Sequence, residues 1–374
     1  MNKDKFEVTY LSVDSIQEGV GSSQITPLVL GLAERGTKVC LITFEKIKPH
    51  NDLVELMSAA GVNWIPREFG KHGASAGIKR LDILRRTTPK SLVLHGRSDI
   101  ATAAAIWSNK EAPVLWDVRS LWSDQRSLIG TTGWNSATAR GARFLEDVSA
   151  RNSDAMTTLT AAVVPVLQQR HKRIPKIREV IPTCVQLKKF LPSAMPSGKI
   201  TCLLSGTFNN YYDLDKTRLV LKEIRKTIDL KVIWARANEA PAERLNVGED
   251  IVISANHSEM PRLVNESHFG IAICKQNNLD SLSAAVPTKI GEFLASGRPV
   301  VVSSGIGDLD QMLTKTRTGI VIEQRDSLQT IAEQVILLLD DQGTPARCRE
   351  LAVEHFDMEK SVDRYLAIYE RMQH

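Results

Sequence analysis

Cysteine is scarce and scattered, with Cys40, Cys184, Cys202, Cys274 and Cys348 spread along the chain and no CxxC pair among them. This spacing excludes a disulfide framework and a zinc ribbon. Three of the five sit in apolar strand-like runs, where cysteine acts as a small hydrophobe, so the sequence reads as a protein of a reducing cytosol. His50, His72, His171, His257, His268, His355 and His374 do not fall into metal-ligand spacing. Aromatic residues are only 5 % of the chain, and nowhere do about 18 apolar residues run together, which argues against a membrane span. The apolar stretch at 6–13 stops at Asp14 without a small-residue cleavage site, so no secretory signal is expected. Charge of one sign is also lacking: 48 Lys and Arg against 43 Asp and Glu leave +5. That excess suits a nucleotide or an anionic lipid surface but does not point to nucleic acid. A P-loop, a GxSxG elbow and the dinucleotide GxGxxG are all missing; the first glycine loop reads GVGSSQ, without the third glycine.

What is present is a regular alternation. With 374 residues the chain is too long for one ordinary core and two domains are expected. FEVTYLSV (6–13), TKVCLITF (37–44), SLVLH (91–95) and APVLWDV (112–118) read as parallel strands buried on both faces. SQITPLVLGLAERG, NDLVELMSAAG and DIATAAAIWSNK between them have helical spacing, with Gly36 and Gly61 at C′ positions. The stretch from Lys176 to Lys199 carries Pro182, Pro192 and Pro196 without a sustained period and reads as a linker. Alternation then resumes at 199–205, 229–235, 250–255, 269–275 and 298–304, each run separated by a helical stretch. The division predicted is a first Rossmann-like domain at 1–180, a linker at 181–198, a second such domain at 199–355 and a terminal segment at 356–374. In that segment Val362, Tyr365, Leu366 and Tyr369 make an amphipathic helix that could pack back on the first domain. The fold class is α/β, two doubly wound domains facing across a cleft, with the strand carboxyl ends as the default ligand site.

The most informative segment is SLSAAVPTKIGEFLASGRPVVVSSGIGD, residues 281–308. Pro287 in a first turn and Gly297 as a stop bracket a helix over 286–296. Ile290, Phe293 and Leu294 form its core face, leaving Lys289, Glu292 and Ser296 on an open face. Free first-turn amides beside Lys289 would attract a phosphate, and Glu292 could accept hydrogen bonds from vicinal hydroxyls. The plainer alternative is a surface Lys and Glu pair on an amphipathic helix. In the first domain EGVGSSQ (18–24) follows a strand and opens a helix, so its glycines allow close backbone approach and its serines can bond oxygen anions; a generic βα turn has the same look. LHGRSD (94–99) and LWDVRSLWSDQR (115–126) put His95, Arg97, Asp117, Arg119 and Asp124 after predicted strands, with Trp116 and Trp122 near them. Their alternatives are a structural Asp117–Arg119 ion pair, a satisfied His95 and buried tryptophans.

PTKIGEFLASGRPVV, with IAICK before it and GIGD after it, resembles the nucleotide-sugar signature of GT-B glycosyltransferases, specifically glycosyltransferase family 4 of bacterial type. TYLSVDSIQEGVGSSQITPLVLGLAERGTKVCLITFE resembles that family's acceptor-domain start, IPTCVQLKKFLP its linker, and EMPRLVNESHFGIAIC the elements before the signature. The resemblance implies an enzyme of polysaccharide or related biosynthesis that moves a sugar from a nucleotide diphosphate sugar to a glycan, lipid-linked or small-molecule acceptor, with retention and without metal or cofactor. It makes Glu292 the ribose ligand, puts Lys289, Ser283 and the 283–286 amides near the diphosphate, and places the base near 256–259. Gly19, Gly21 and Ser22 would approach the diphosphate or sugar from the first domain, and Asp117, Arg119 and His95 become acceptor-side catalytic candidates with Asp124. Two departures stand out. Ala284 occupies a position where many members have a sugar-binding Glu, and the loop after the first strand of the second domain, SGTFNNYYDLDK, lacks their Arg and Lys pair, leaving Lys275, Arg236 and Lys289 to neutralise phosphate. The remaining readings are a GT-B nucleotide-sugar epimerase and a non-catalytic sugar-nucleotide-binding protein. A cytoplasmic protein is expected, and the basic QQRHKRIPKIR (168–178) suits either a solvated helix end or peripheral contact with anionic headgroups.

Overall fold

The computed structural model describes residues 6–108, 111–128, 136–236 and 250–374. The end of the predicted helical run at Asn109 and Lys110, and the helical stretch expected within 237–249, lie outside them. The described residues divide into two compact units, one reaching Pro182 and including Met358–His374, the other Thr183–Asp357.

The first unit is built on seven described strands: β1 (Phe6–Leu11), β2 (Val39–Glu45), β3 (Asn63–Glu68), β4 (Ser91–Arg97), β5 (Val114–Val118), β6 (Ala155–Thr158) and β7 (Ile177–Val180). They lie in the order β3-β2-β1-β4-β5-β6-β7, and every pairing is parallel. The second unit holds β8 (Ile200–Gly206), β9 (Leu230–Arg236), β10 (Ile251–Ser254), β11 (Phe269–Ala272), β12 (Val300–Ser303) and β13 (Gly319–Ile322). Their order is β10-β9-β8-β11-β12-β13, again all parallel. Both sheets are doubly wound. Each reverses direction at its first strand, between β1 and β4 and between β8 and β11, where ligands bind at the strand carboxyl ends in such sheets.

The central strands are those with unbroken apolar runs, as burial on both faces requires: all seven residues of β2 are buried. Four strands lie outside the runs expected from the sequence. β3 (NWIPRE), β7 (IREV) and β13 (GIVI) are sheet edges that stay partly exposed, and β3 tolerates Pro66 because an edge has an unpaired side. The short, buried β6 reads AMTT. β7 thus occupies the start of the aperiodic stretch from Lys176, and the chain leaves the first sheet after Val180.

Residues 183–198 are fastened to the second unit. Thr183 Oγ1 donates to the Val286 carbonyl at 2.7 Å, and the Val185 amide to the Phe356 carbonyl at 2.8 Å. Arg298, 0 % exposed, sends its guanidinium to the Ser193, Ala194 and Asn265 carbonyls and to Ser193 Oγ, at 2.9–3.2 Å. Arg349 caps the Phe190 and Ala295 carbonyls. The helix Met358–Gln373 belongs to the first unit, and Ser361, Val362, Tyr365, Ile368 and Tyr369 are on its buried face, whereas Leu366 is only half-buried. Val362 packs so closely on Gly31 that a Cβ there would lie 2.7 Å from its Cγ2. All five cysteines are free and buried.

Among the described residues Arg298 is a buried cation answered by carbonyl and hydroxyl dipoles, so truncating it strands several acceptors at once. Arg298→Ala should lower the stability of the second unit by about 3 kcal/mol or more, read as a shift in the urea midpoint, and lysine should restore little of it because a single ammonium cannot reach the same oxygens. An unchanged midpoint would show that the linker is held by other contacts.

Candidate functional site

At the β8/β11 reversal the sequence signature folds as a helix, Thr288–Ala295, with Pro287 as its N-cap in extended geometry (ψ 125°). Pro287 thus lies one step before the first turn in which it was expected. The face carrying Lys289, Glu292 and Ser296 is not open: Glu292 is 5 % exposed, Ser296 is fully buried and Lys289 is half-buried. Lys289 Nζ donates to the Ser205 carbonyl at the end of β8 and stands 4.2 Å from the centroid of the Tyr212 ring. It makes no ion pair with a carboxylate among the described residues. Burial pulls its pKa down to about 8, and burial pushes that of Glu292 up to about 7; the mutual attraction of the two charges only partly offsets either effect. His257 Nδ1 is 3.6 Å from Glu292 Oε1, too far for a hydrogen bond, and burial lowers its pKa, so the imidazole faces Glu292 uncharged near neutrality.

The other second-unit candidates surround this pair unevenly. Ser283 ends the short helix Leu279–Ser283 and spends its hydroxyl on the Asp280 carbonyl at 2.7 Å. Ala284 is buried. Lys275 follows β11, and its amide bonds the Tyr211 carbonyl at 3.0 Å. Arg236 closes β9. Residues 256–259 form a capping box in which the Asn256 amide donates to Glu259 Oε2 at 2.9 Å and the Ser258 amide to Asn256 Oδ1 at 3.0 Å. Glu259 is thus committed to the turn, and His257 is the side chain of that segment that approaches Glu292.

In the first unit the loop after β1 is organised by a residue that motif reading missed. Glu45, at the end of β2 and 3 % exposed, accepts from Ser15 Oγ (2.6 Å), the Ile16 amide (3.2 Å), Gln17 Nε2 (3.2 Å) and Thr43 Oγ1 (2.6 Å). Gly21 then passes so close that a Cβ would stand 1.8 Å from the Ser15 carbonyl oxygen, so no larger residue fits. Gly19 takes φ +52° with open space around it. Ser22 and Ser23 turn their hydroxyls to the Gly19 carbonyl, at 2.9 and 3.3 Å.

The polar residues expected after two strands lie within them instead, His95 and Arg97 in β4 and Asp117 in β5 with Arg119 just beyond, and they come together out of solvent. His95 is 0 % and Asp117 1 % exposed. His95 Nε2 lies 3.3 Å from Asp117 Oδ2 and its Nδ1 is 2.6 Å from the Tyr369 hydroxyl. Asp117 Oδ1 accepts from Thr157 Oγ1 at 2.9 Å and also meets Tyr365 and Arg119 at 3.4 Å. Buried Arg97 reaches Asp14 at 3.1 Å. Burial alone would raise the Asp117 pKa, but Arg119, His95 and Arg97 outweigh it and hold the carboxyl well below the usual range. Burial lowers that of His95 despite Asp117. Trp116 is buried and donates to Asp99 at 3.0 Å; Asp124 pairs instead with Arg170, at 2.6 Å. The two tyrosines of the C-terminal helix could not be connected with His95 from sequence spacing, because they lie some 270 residues away.

The buried pair in the second unit has a measurable signature. Glu292 holds its proton more tightly in the folded than in the unfolded chain, so it should withdraw about 3 kcal/mol of stability as pH rises from about 4.5 to 7. Lys289 holds its proton less tightly when folded, so its penalty is full below pH 8 and relieved above. Urea titrations of wild type and Glu292→Gln between pH 4 and 8 should differ in slope, the variant losing the decline. Parallel curves would show that the carboxyl is not desolvated.

Residues 200–341 match the family model of Glycosyl transferases group 1. No curated protein is a match to the sequence. Among solved structures the chain is similar to sucrose-phosphate synthase from Thermosynechococcus elongatus, at 13 % identity over 98 % of this chain and 99 % of that one, with a TM-score of 0.74. It is also similar to WaaG, a glycosyltransferase involved in lipopolysaccharide biosynthesis (13 %, 96 % and 98 %, 0.67), and to Anabaena HepE in complex with UDP (10 %, 98 % and 100 %, 0.68). At such identities the structures share a fold with this chain, and the family model covers the unit that holds Lys289 and Glu292. With two Rossmann-like units and a glycosyl transferases group 1 domain in the second, the chain is a GT-B glycosyltransferase.

Proposed function

We propose that the chain transfers a sugar from a nucleotide diphosphate sugar to a hydroxyl acceptor, with retention of anomeric configuration and without a metal ion, as a member of family 4. One observation carries the donor reading: Lys289, without a carboxylate ion-pair partner among the described residues, and buried Glu292 lie on one helix at the switch point of the second sheet. A diphosphate supplies the anion that Lys289 lacks, and ribose hydroxyls supply donors to Glu292. A uridine nucleotide is the first donor to test, because HepE was solved with UDP and with UDP-glucose. In the transfer the bond from the anomeric carbon to the diphosphate oxygen breaks with its electron pair going to that oxygen, negative charge grows on the departing diphosphate, and the acceptor oxygen bonds to the carbon while its proton passes to the departing diphosphate. Lys289 and the first-turn amides stabilise that charge, an electrostatic role that needs no nucleophile from the protein. Ser283, Lys275 and the Gly19, Gly21 and Ser22 loop remain donor-side candidates, and the acceptor is a glycan or lipid-linked hydroxyl.

For the first unit we read the His95, Asp117 and Arg119 cluster as the anchor of the C-terminal helix rather than as a direct contact with acceptor. Burial at 0–1 % leaves His95 and Asp117 no surface to present, and their partners are Tyr365, Tyr369 and Thr157.

Two measurements test these assignments. Calorimetry should find nucleoside diphosphate binding much tighter than nucleoside binding, undiminished by EDTA, and Glu292→Ala should weaken it by about 1.5–3 kcal/mol. Affinity should peak between about pH 7 and 8, since Glu292 must lose its proton and Lys289 must keep its own. Equal affinity for nucleoside and diphosphate would sink the site. Asp117→Asn and Arg119→Ala should lower melting temperature and transferase activity together, with donor affinity unchanged; activity lost at full thermal stability would restore these residues to the chemistry.

A further inference from the structure

Among the described residues the groups that touch the Lys289 ammonium are neutral, and Glu292, on the same helix, attracts it only from beyond ion-pair distance. The ammonium donates to the Ser205 carbonyl and lies over the face of Tyr212, 4.2 Å from the ring centroid. Gly206, with φ +131°, clears the remaining side, since a Cβ there would approach Nζ to 3.1 Å. The ring is itself held in place. Tyr212 donates its amide to the Asn209 carbonyl at 3.1 Å and forms an isolated antiparallel bridge with Cys274, while the Asp213 amide bonds the Ile273 carbonyl and the Lys275 amide the Tyr211 carbonyl. The loop after β8 is thereby stitched to the chain leaving β11. That loop, SGTFNNYYD, contains no lysine or arginine of its own.

A carboxylate beside Lys289 would fix the ammonium but cancel its charge. An aromatic face attracts the cation through its quadrupole and shields it from water, yet carries no net charge. The ammonium is therefore held in one place with its full charge still available to an anion, and the ordering of a flexible side chain precedes ligand arrival. Burial keeps the Tyr212 phenol protonated far above neutrality, so the ring stays uncharged over the working pH range.

We propose that Tyr212 is a positioning residue for diphosphate recognition: its ring holds the Lys289 ammonium where the two phosphates of a nucleotide donor arrive, so that the loop after β8 supplies the seat and the signature helix supplies the charge. The proposal rests on the reading of Lys289 given under Proposed function.

The test uses the full-length chain and whichever of UDP, GDP, ADP and dTDP binds it most tightly, with the corresponding nucleoside as control. Tyr212→Leu should weaken nucleoside diphosphate binding about tenfold and leave nucleoside binding unchanged, while Tyr212→Phe, which keeps the ring, should match wild type. In a Lys289→Ala background the same Tyr212→Leu change should have no further effect, since the two side chains act as one unit. Tyr212→Met, of similar bulk but without an aromatic face, carries the same expectation and serves if the leucine variant does not fold. The proposal is overturned if the loss is equal for nucleoside and diphosphate, if it persists without Lys289, or if no loss occurs. A wild-type chain that binds diphosphate no better than nucleoside overturns the donor reading and this one with it; a wild-type preference that survives Tyr212→Leu overturns the seat alone.

Discussion

The reversal of strand order in a parallel sheet is the constraint from which the rest of this structure follows. Once β1 is flanked by β2 and β4, and β8 by β9 and β11, the right-handed crossovers on either side must leave by opposite faces. The carboxyl ends of the two central strands are then not roofed by their own helices. Loops there can be long without disturbing the core, and each sheet uses this place for its glycines and charged side chains. The glycine loop after β1, the His95 to Arg97 strand end, the Gly206 to Asp213 loop and the signature helix all occupy such positions.

The donor half of the candidate site was legible because its residues are neighbours in sequence. Lys289 and Glu292 are one helical turn apart, and the bracketing Pro287 and Gly297 identify the helix without tertiary knowledge. What could not be read was the environment of that turn. An amphipathic pattern assigns Lys289, Glu292 and Ser296 to the polar face, but polarity of a face does not tell whether water or protein covers it. Here protein covers it, and the same two charges become a desolvated pair with pKa values drawn toward neutrality. Tyr212 was invisible for a related reason: its importance lies in a contact with a residue far along the chain, and a Tyr-Tyr pair in a polar loop has no pattern of its own.

In the first unit the sequence located the polar residues and the structure changed their meaning. His95, Asp117 and Arg119 do converge, since β4 and β5 are adjacent and in register. What closes over them is a helix from the far end of the chain, so two tyrosine hydroxyls and a threonine supply partners that spacing could not suggest. The edge strands β3 and β7 were missed through the physics of exposure rather than through any irregularity, as a strand with one open side needs no apolar run, whereas β13 is apolar but only four residues long. Glu45 shows the converse: a charged residue at the end of a fully buried strand was the sign that something nearby needed an acceptor.

The placement of the helix Met358–Gln373 also bears on how the chain matures. Nearly all of the second unit runs from Thr183 to Asp357, whereas the first includes residues on both sides of that stretch. During synthesis the second unit can close around its own core while the first still waits for Val362 to reach Gly31 and for Tyr365 and Tyr369 to cover His95 and Asp117. The amino-terminal unit, although made first, therefore depends for its burial of His95 and Asp117 on a helix that is made last.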